Sequence, residues 1–104
     1  MDKLRFGTAG IPNIAKGTDM LGGIKAVRKL GLECMEMEFV RQVYLKKDKT
    51  ENVKRIAKEN DILLTSHGSY FINLNSSDGK KVEESIQRIL DAARITYLSG
   101  GYSC

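Results

Sequence analysis

The sequence is poor in several residue types: its 104 residues include no tryptophan, one proline, one histidine and two cysteines. Cys34 and Cys104 are too few for a disulfide framework, so the pattern favours a reduced, intracellular protein. No apolar run approaches the length of a membrane-spanning helix, and residues 1–5 lack the apolar stretch of a signal peptide. We therefore predict a cytoplasmic protein without membrane contact.

Neither sign of charge dominates the composition. The chain has 17 basic and 13 acidic residues, a net charge of +4 and 41% hydrophobic residues. These proportions are typical of one globular domain with a modest core. The slight basic excess is a weak argument for an anionic partner, because ordinary surface charge explains it as well.

Three short stretches have the pattern of β-strands: residues 4–9, 33–40 and 62–67. The third is apolar at most positions, as strands buried on both faces are. The second alternates strictly, with Met35, Met37 and Phe39 on one side and Glu36 and Glu38 on the other. In a barrel these glutamates are expected to face the interior, where they could act as acid/base groups or face water.

Three helices are predicted between and after these strands. Thr18 or Asp19 is expected to cap the first, which ends at Gly31. Thr50 is expected to cap the second, which stops near Asn60. The third should start after a cap at Ser76, Ser77 or Asp78 and end at Leu98 or Ser99.

The third helix carries a pronounced apolar stripe. Its members recur at helical spacing and are predicted to be buried: Val82, Ile86, Ile89, Leu90 and Ala93.

The resulting order, β-α-β-α-β-α, predicts an α/β fold with a parallel sheet. No linker, repeat or second domain is evident. The residues after the third helix, Gly100-Gly101-Tyr102-Ser103-Cys104, have the composition of a turn into a fourth strand.

The single histidine, His67, falls where the third predicted strand ends. Parallel α/β folds place their chemistry at this position, and an imidazole there can bind a metal or move a proton. Tyr70 and Phe71 follow in the same loop and are candidates for a recognition surface. The alternatives are a merely hydrogen-bonded histidine, and a Phe71-Ile72 pair that fastens the loop to the fold.

The stretch from His67 to Leu74, His-Gly-Ser-Tyr-Phe-Ile-Asn-Leu, resembles the metal-ligand segment of the endonuclease IV family. The common form of that segment is His-Asp-Ser-Tyr-Leu-Ile-Asn-Leu. Two further landmarks agree in order and spacing, at residues 7–9 and 39–42. These enzymes are abasic-site endonucleases of base-excision repair, with a TIM barrel shared with the xylose isomerase superfamily. The resemblance implies that residues 1–104 form a partial TIM barrel, the N-terminal three-eighths of a (β/α)8 barrel.

The resemblance also implies site residues and a partner. His67 would be one ligand of a zinc cluster that activates water. Tyr70 and Phe71 match residues that push into the duplex, and Arg41 or Gln42 matches the polar loop that enters the DNA beside them. The expected partner is DNA with an abasic site, and the expected reaction is hydrolysis of the phosphodiester on its 5′ side.

This sequence departs from the family pattern at several points. Gly68 replaces the usual aspartate, no histidine stands near Ala9, and the family's other metal ligands lie beyond Cys104. We therefore expect the chain alone to bind no zinc and to be inactive. Two alternatives stay open: a sugar-isomerase-like member of the same superfamily, and a non-catalytic module that forms homo-oligomers through its open sheet edges.

Overall fold

Strands and helices alternate along residues 3–104, the part of the chain that the computed structural model describes. The strands are β1 (Gly7–Ala9), β2 (Cys34–Glu38) and β3 (Leu63–His67), and the helices are α1 (Met20–Lys29), α2 (Thr50–Glu59) and α3 (Gly79–Leu98). Short 3-10 turns precede the first two helices, at Asn13–Ala15 and Lys47–Lys49.

The three strands form one sheet in the order β1-β2-β3, and both pairings are parallel. Gly7 lies opposite Cys34, and Glu38 lies opposite His67. The predicted α/β class and parallel sheet are confirmed. The first strand is shorter than predicted and begins at Gly7 rather than Leu4. The side chains of Leu4 and Phe6 are exposed, so no packing extends the strand towards the N-terminus.

The predicted turn after α3 is present, and the residues that follow it begin to pair with β3. The backbone N–H of Tyr102 donates to the Leu64 carbonyl at 2.7 Å, and the N–H of Ser66 donates to the Ser103 carbonyl at 2.9 Å. Ser103 thus forms a parallel bridge with Thr65.

The core lies between the sheet and the helices. It includes Met35 and Met37 of β2 and Phe39, which directly follows that strand, all fully buried. Facing them are apolar residues of α1, α2 and α3: Ile24, Val27, Val53, Ile56, Ala57, Ala92 and Ile95. Each large side chain buried in this way contributes roughly 1.5–3 kcal/mol to folding.

Five of the six predicted helix ends are confirmed, including Asn60 after α2 and Leu98 at the end of α3, and one is wrong. Asp19 accepts from the N–H of Gly22 at 2.9 Å, Asp78 accepts from that of Lys80 at 3.0 Å, and Gly31 ends α1 with a φ of +77°. Thr50 does not cap α2 but is its first residue. The 3-10 turn leads directly into the helix, so the hydroxyl of Thr50 instead donates to the Lys47 carbonyl at 2.7 Å.

The predicted buried stripe of α3 is also wrong. Ile86, Ile89 and Leu90 are 47%, 37% and 53% exposed, because this face points away from the sheet and from α2. The buried face of α3 carries mainly small residues: Ser85, Ala92, Ile95 and Thr96. The hydroxyls of Ser66 and Thr96 lie 2.5 Å apart beneath it, which fixes the side that α3 turns to the sheet.

Among residues 3–104, no helix combines the length and the apolar character needed to cross a bilayer.

Candidate functional site at the carboxyl ends of the strands

The helix-free face of the sheet carries the chemically active side chains. Met35 and Met37 point into the core, so Glu36 and Glu38 project from the opposite face of β2. Glu38 is in register with His67 at the carboxyl end of β3. The predicted inward orientation of the two glutamates is thus confirmed, and the register brings one of them beside the histidine.

His67 is exposed and held in one orientation. Its Nδ1 lies 2.7 Å from the carbonyl oxygen of Gly68. A carbonyl only accepts, so Nδ1 must carry the proton and donate it. In the neutral ring this leaves the Nε2 lone pair free to bind a metal or a proton.

Glu36 influences the ionisation of Glu38. The pKa of Glu38 is raised to about 7, first by burial and then by the hydrogen bond and negative charge of Glu36, while His67 acts in the opposite direction. One carboxylate oxygen of Glu38, Oε1, is buried without a hydrogen-bond partner among residues 3–104. A carboxyl group with a pKa near neutrality can both take up and release a proton at physiological pH.

Tyr44 adds a phenol beside this pair. Its ring packs edge-on against Phe39, with the ring centroids 5.4 Å apart. Burial and the charge of Glu38 raise the pKa of the Tyr44 phenol above its ordinary value of 10. The hydroxyl therefore stays protonated and can donate a hydrogen bond.

Backbone hydrogen bonds join the loop after β2 to the loop after β3. The N–H of Phe39 donates to the His67 carbonyl at 3.0 Å, and that of Tyr70 donates to the Val40 carbonyl at 2.8 Å. Arg41 and Gln42 follow directly and are exposed. The predicted site residues of both loops therefore lie at one edge of the sheet.

Tyr70 and Phe71 have different surroundings, although both are largely exposed, at 68% and 61%. The Tyr70 ring approaches His67 edge-on, with the centroids 5.4 Å apart. Phe71 lies under the guanidinium of Arg88, whose Cζ is 5.3 Å from the ring centroid. Phe71 thus contacts α3 but keeps most of its ring exposed, whereas Tyr70 contacts the histidine.

Residues 24–101 match the family described as Xylose isomerase-like TIM barrel, which is three quarters of the sequence. The chain belongs to this family. An uncharacterized protein of Methanocaldococcus jannaschii, MJ0133, is 41% identical over 92 residues, which are 88% of this chain and 32% of that protein. The chain therefore spans about a third of the length of this family relative.

Solved structures of the same barrel type superpose on most of the chain. Endonuclease IV from Thermus thermophilus matches with a TM-score of 0.71 and 20% identity, over 93% of this chain and 38% of that one. D-psicose 3-epimerase from Clostridium cellulolyticum, solved with D-tagatose, matches with a TM-score of 0.69 and 17% identity, over 93% and 35%. These matches confirm the endonuclease IV-like, partial TIM barrel fold.

The side chains of residues 3–104 do not make a complete zinc site. No group of three or more histidine, cysteine, aspartate or glutamate residues in this range could hold a metal ion. His67 supplies one nitrogen, whereas zinc in proteins takes at least three protein ligands. The expectation that the chain alone binds no zinc stays a prediction, since this geometry shows only that the ligand set is partial.

Two residues of the site were missed by sequence reasoning, Tyr44 and Arg88. Tyr44 lies in a loop with no periodic pattern. Arg88 lies outside the predicted apolar stripe of α3, whose rotation was predicted incorrectly. Ser85 and Arg88 lie one helical turn apart, as the sequence shows. Their contacts with the loop after β3 depend on tertiary packing, which the sequence pattern does not show.

Proposed function

We propose that this chain forms the first three of eight βα units of a metal-dependent nuclease of the endonuclease IV type. Its reaction would be hydrolysis of the phosphodiester on the 5′ side of an abasic site in DNA. The observation that carries the proposal is the oriented His67 imidazole, with a free Nε2, at the carboxyl edge of a parallel sheet beside an exposed aromatic loop. The endonuclease IV match over 93% of the chain supports it.

Each predicted residue has a role in this proposal. His67 binds one metal ion once the remaining ligands come from another polypeptide. Tyr70 and Phe71 enter the duplex at the missing base, where stacking on an aromatic ring offsets part of the cost of unstacking. Arg41 or Gln42 contacts the DNA from the neighbouring loop. The chain alone is expected to be inactive, because one imidazole cannot hold zinc.

DNA binding can be tested without catalysis. Fluorescence anisotropy with a labelled duplex containing a tetrahydrofuran abasic site, and with the intact duplex, measures the preference for the lesion. Tyr70→Ala should raise the Kd for the abasic duplex about fivefold, which corresponds to the lower end of the free energy of one base–aromatic stack. Tyr97→Ala is the matched control, since Tyr97 is an exposed tyrosine on α3. Equal effects of the two variants would contradict the proposed role of Tyr70.

Catalysis needs a separate experiment. The chain is incubated with the abasic duplex and Zn²⁺, with and without EDTA. We expect no incision by the chain alone, and incision that EDTA abolishes when a polypeptide supplying the remaining barrel units is added. Incision by protein that elemental analysis shows to be free of metal would exclude a metal-dependent mechanism.

A second candidate function is proton transfer next to a sugar carbonyl. The pair of Glu36 and Glu38 favours it, because a carboxyl with a pKa of about 7 on the barrel-interior face suits a general acid or base. The fold match to D-psicose 3-epimerase is consistent with this candidate. Its test is loss of a ketohexose carbon-bound proton signal in D2O, and Glu38→Gln should prevent that exchange.

We also propose that copies of the chain associate with one another. The outer edge of β1 pairs with no other strand of residues 3–104, and the apolar stripe of α3 is exposed. Unpaired strand edges and contiguous apolar surface both favour association between copies.

A further inference from the structure

A cleft of about 570 Å³ lies between the start of α1 and the loop that leads into α2. Buried side chains of Met20, Leu45 and Val53 form its floor, and Leu21 and Tyr44 form walls. We call it the α1–α2 cleft. Its size is within the range of small-molecule sites, and its apolar floor is typical of them. All residues that line this cleft lie within residues 3–104. The apolar stripe of α3, in contrast, is not covered by any other helix or strand of this range.

The rim of the α1–α2 cleft carries two lysines on the same side. Lys46 and Lys49 both line it, and the N–H of Lys49 donates to the Lys46 carbonyl at 3.0 Å. In a 3-10 turn, side chains three residues apart eclipse one another, so the turn directs both lysines to one face. Lys47 and Asp48, between them in sequence, line a different groove.

These two ammonium groups are not neutralised within residues 3–104. Neither Lys46 nor Lys49 forms an ion pair with a carboxylate of this part of the chain. Asp19 also lies on the rim, and its carboxylate keeps its negative charge while Oδ1 accepts the capping hydrogen bond from Gly22, so the lining residues carry two positive charges against one negative. A rim with an excess of positive charge above an apolar floor favours a ligand that joins an anionic group to an apolar body.

We propose that the α1–α2 cleft binds a small molecule with a flat apolar body and a carboxylate, of the aromatic carboxylate class. The apolar rings lie on Met20, Leu45 and Val53, and the carboxylate lies between Lys46 and Lys49. The protonated hydroxyl of Tyr44, on the cleft wall, is a further donor to an anionic ligand. The cleft shares Tyr44 with the candidate functional site, but His67 and Glu38 do not line it, and the proposal does not depend on the nuclease proposal.

The test uses the 104-residue chain and two probes, 1-naphthoate and its neutral analogue 1-naphthalenemethanol. Methyl NMR spectra follow the signals of Leu45 and Val53 during each titration. We expect both signals to shift with naphthoate, and the alcohol to bind more weakly. Lys46→Ala or Lys49→Ala should each raise the Kd for naphthoate about two- to fivefold, the range for one exposed charge contact.

Two further variants make the test specific. Lys47→Ala is the matched control, because Lys47 lies on the same turn but lines the other groove, and it should leave the Kd unchanged. Leu21→Trp should fill the cleft and abolish the methyl shifts, with a thermal melt confirming that the variant folds. The proposal is overturned by an absence of shifts at millimolar naphthoate, by equal affinity for the alcohol, or by an equal effect of Lys47→Ala.

Discussion

Gly7 packs so closely against β2 that a Cβ at this position would overlap the carbonyl group of Cys34. The overlapping atoms are backbone, so they cannot move without disturbing the pairing of β1 with β2. We expect Gly7→Ala to lower the free energy of unfolding by about 2–3 kcal/mol, the upper range for overpacking. Urea denaturation followed by circular dichroism measures the change.

Gly79→Ala is the control for this prediction. No heavy atom lies within 4 Å of a Cβ added at Gly79, which is the first residue of α3. Alanine is the better helix former, so this variant should gain up to about 1 kcal/mol. A similar loss of stability in both variants would show that close packing at Gly7 is not the cause.

The ionisation of Glu38 makes stability depend on pH. Its pKa is about 7 in the folded chain, against an ordinary value of 4.5. Between these values the folded state keeps a proton that the unfolded state has lost, so stability falls as the pH rises from 4.5 to 7 and is level above. Glu38→Gln should flatten this fall and raise stability at pH 8 by about 1–2 kcal/mol, allowing for partial solvent screening.

Urea denaturation at about pH 4.5, 6 and 8 measures this effect, and Glu33 provides a control of opposite sign. The hydrogen bond from Lys3 holds the pKa of Glu33 below its ordinary value. The contribution of the ionised Glu33 to folding stability is therefore present at neutral pH, and it is lost as the pH falls through the lowered pKa. Glu33→Gln should change the acidic part of the profile and leave the fall towards pH 7 intact. A wild-type profile without that fall would contradict the assigned pKa of Glu38.

Among the secondary-structure elements, β2 was predictable from sequence and the orientation of α3 was not. The alternation of methionine and glutamate in β2 allows only one assignment of faces. In α3 the stripe of large apolar residues is real, but helical spacing does not tell which neighbour covers it. Small residues are buried instead, and two of their hydroxyls have partners outside the helix: that of Thr96 lies 2.5 Å from the Ser66 hydroxyl, and that of Ser85 accepts from the N–H of Asn73 at 2.8 Å.

The orientation of α3 leads to a prediction opposite to that of the sequence pattern. Ala92 is 1% exposed, so Ala92→Leu should overpack the core and cost about 1–3 kcal/mol. Leu90 is on the exposed face, so Leu90→Ala should change stability by no more than about 0.5 kcal/mol. Thermal denaturation of both variants, at a concentration where sedimentation shows a monomer, decides between the two orientations. A large loss in Leu90→Ala would mean that the stripe is buried.

The candidate site, too, was predictable from the sequence only in part. The place of His67 at a strand end follows from local sequence, and the resemblance pointed to Tyr70 and Phe71. The pairing of Glu38 with His67 depends on strand register, which no local pattern encodes. The contact of Arg88 with Phe71 depends on the rotation of α3 and was therefore missed.

At the scale of the whole molecule, two surfaces lack a partner in residues 3–104, the outer edge of β1 and the α3 stripe. β1 has only three residues, so its edge offers few hydrogen bonds. The stripe runs along a helix of 20 residues, about 30 Å long. Since apolar area is the main driving force for association, the stripe should contribute more than the sheet edge.

The exposed α3 stripe predicts self-association that a single charge on α3 weakens. Sedimentation velocity over a concentration series should show a mass that rises with concentration, and Leu90→Lys should shift the chain towards monomer. Leu30→Lys is the matched control: Leu30 is 47% and Leu90 53% exposed, and Leu30 lies at the end of α1. If neither substitution changes the association, the β1 edge is the interface. A monomer at every concentration contradicts both assignments, because neither surface then drives association between copies.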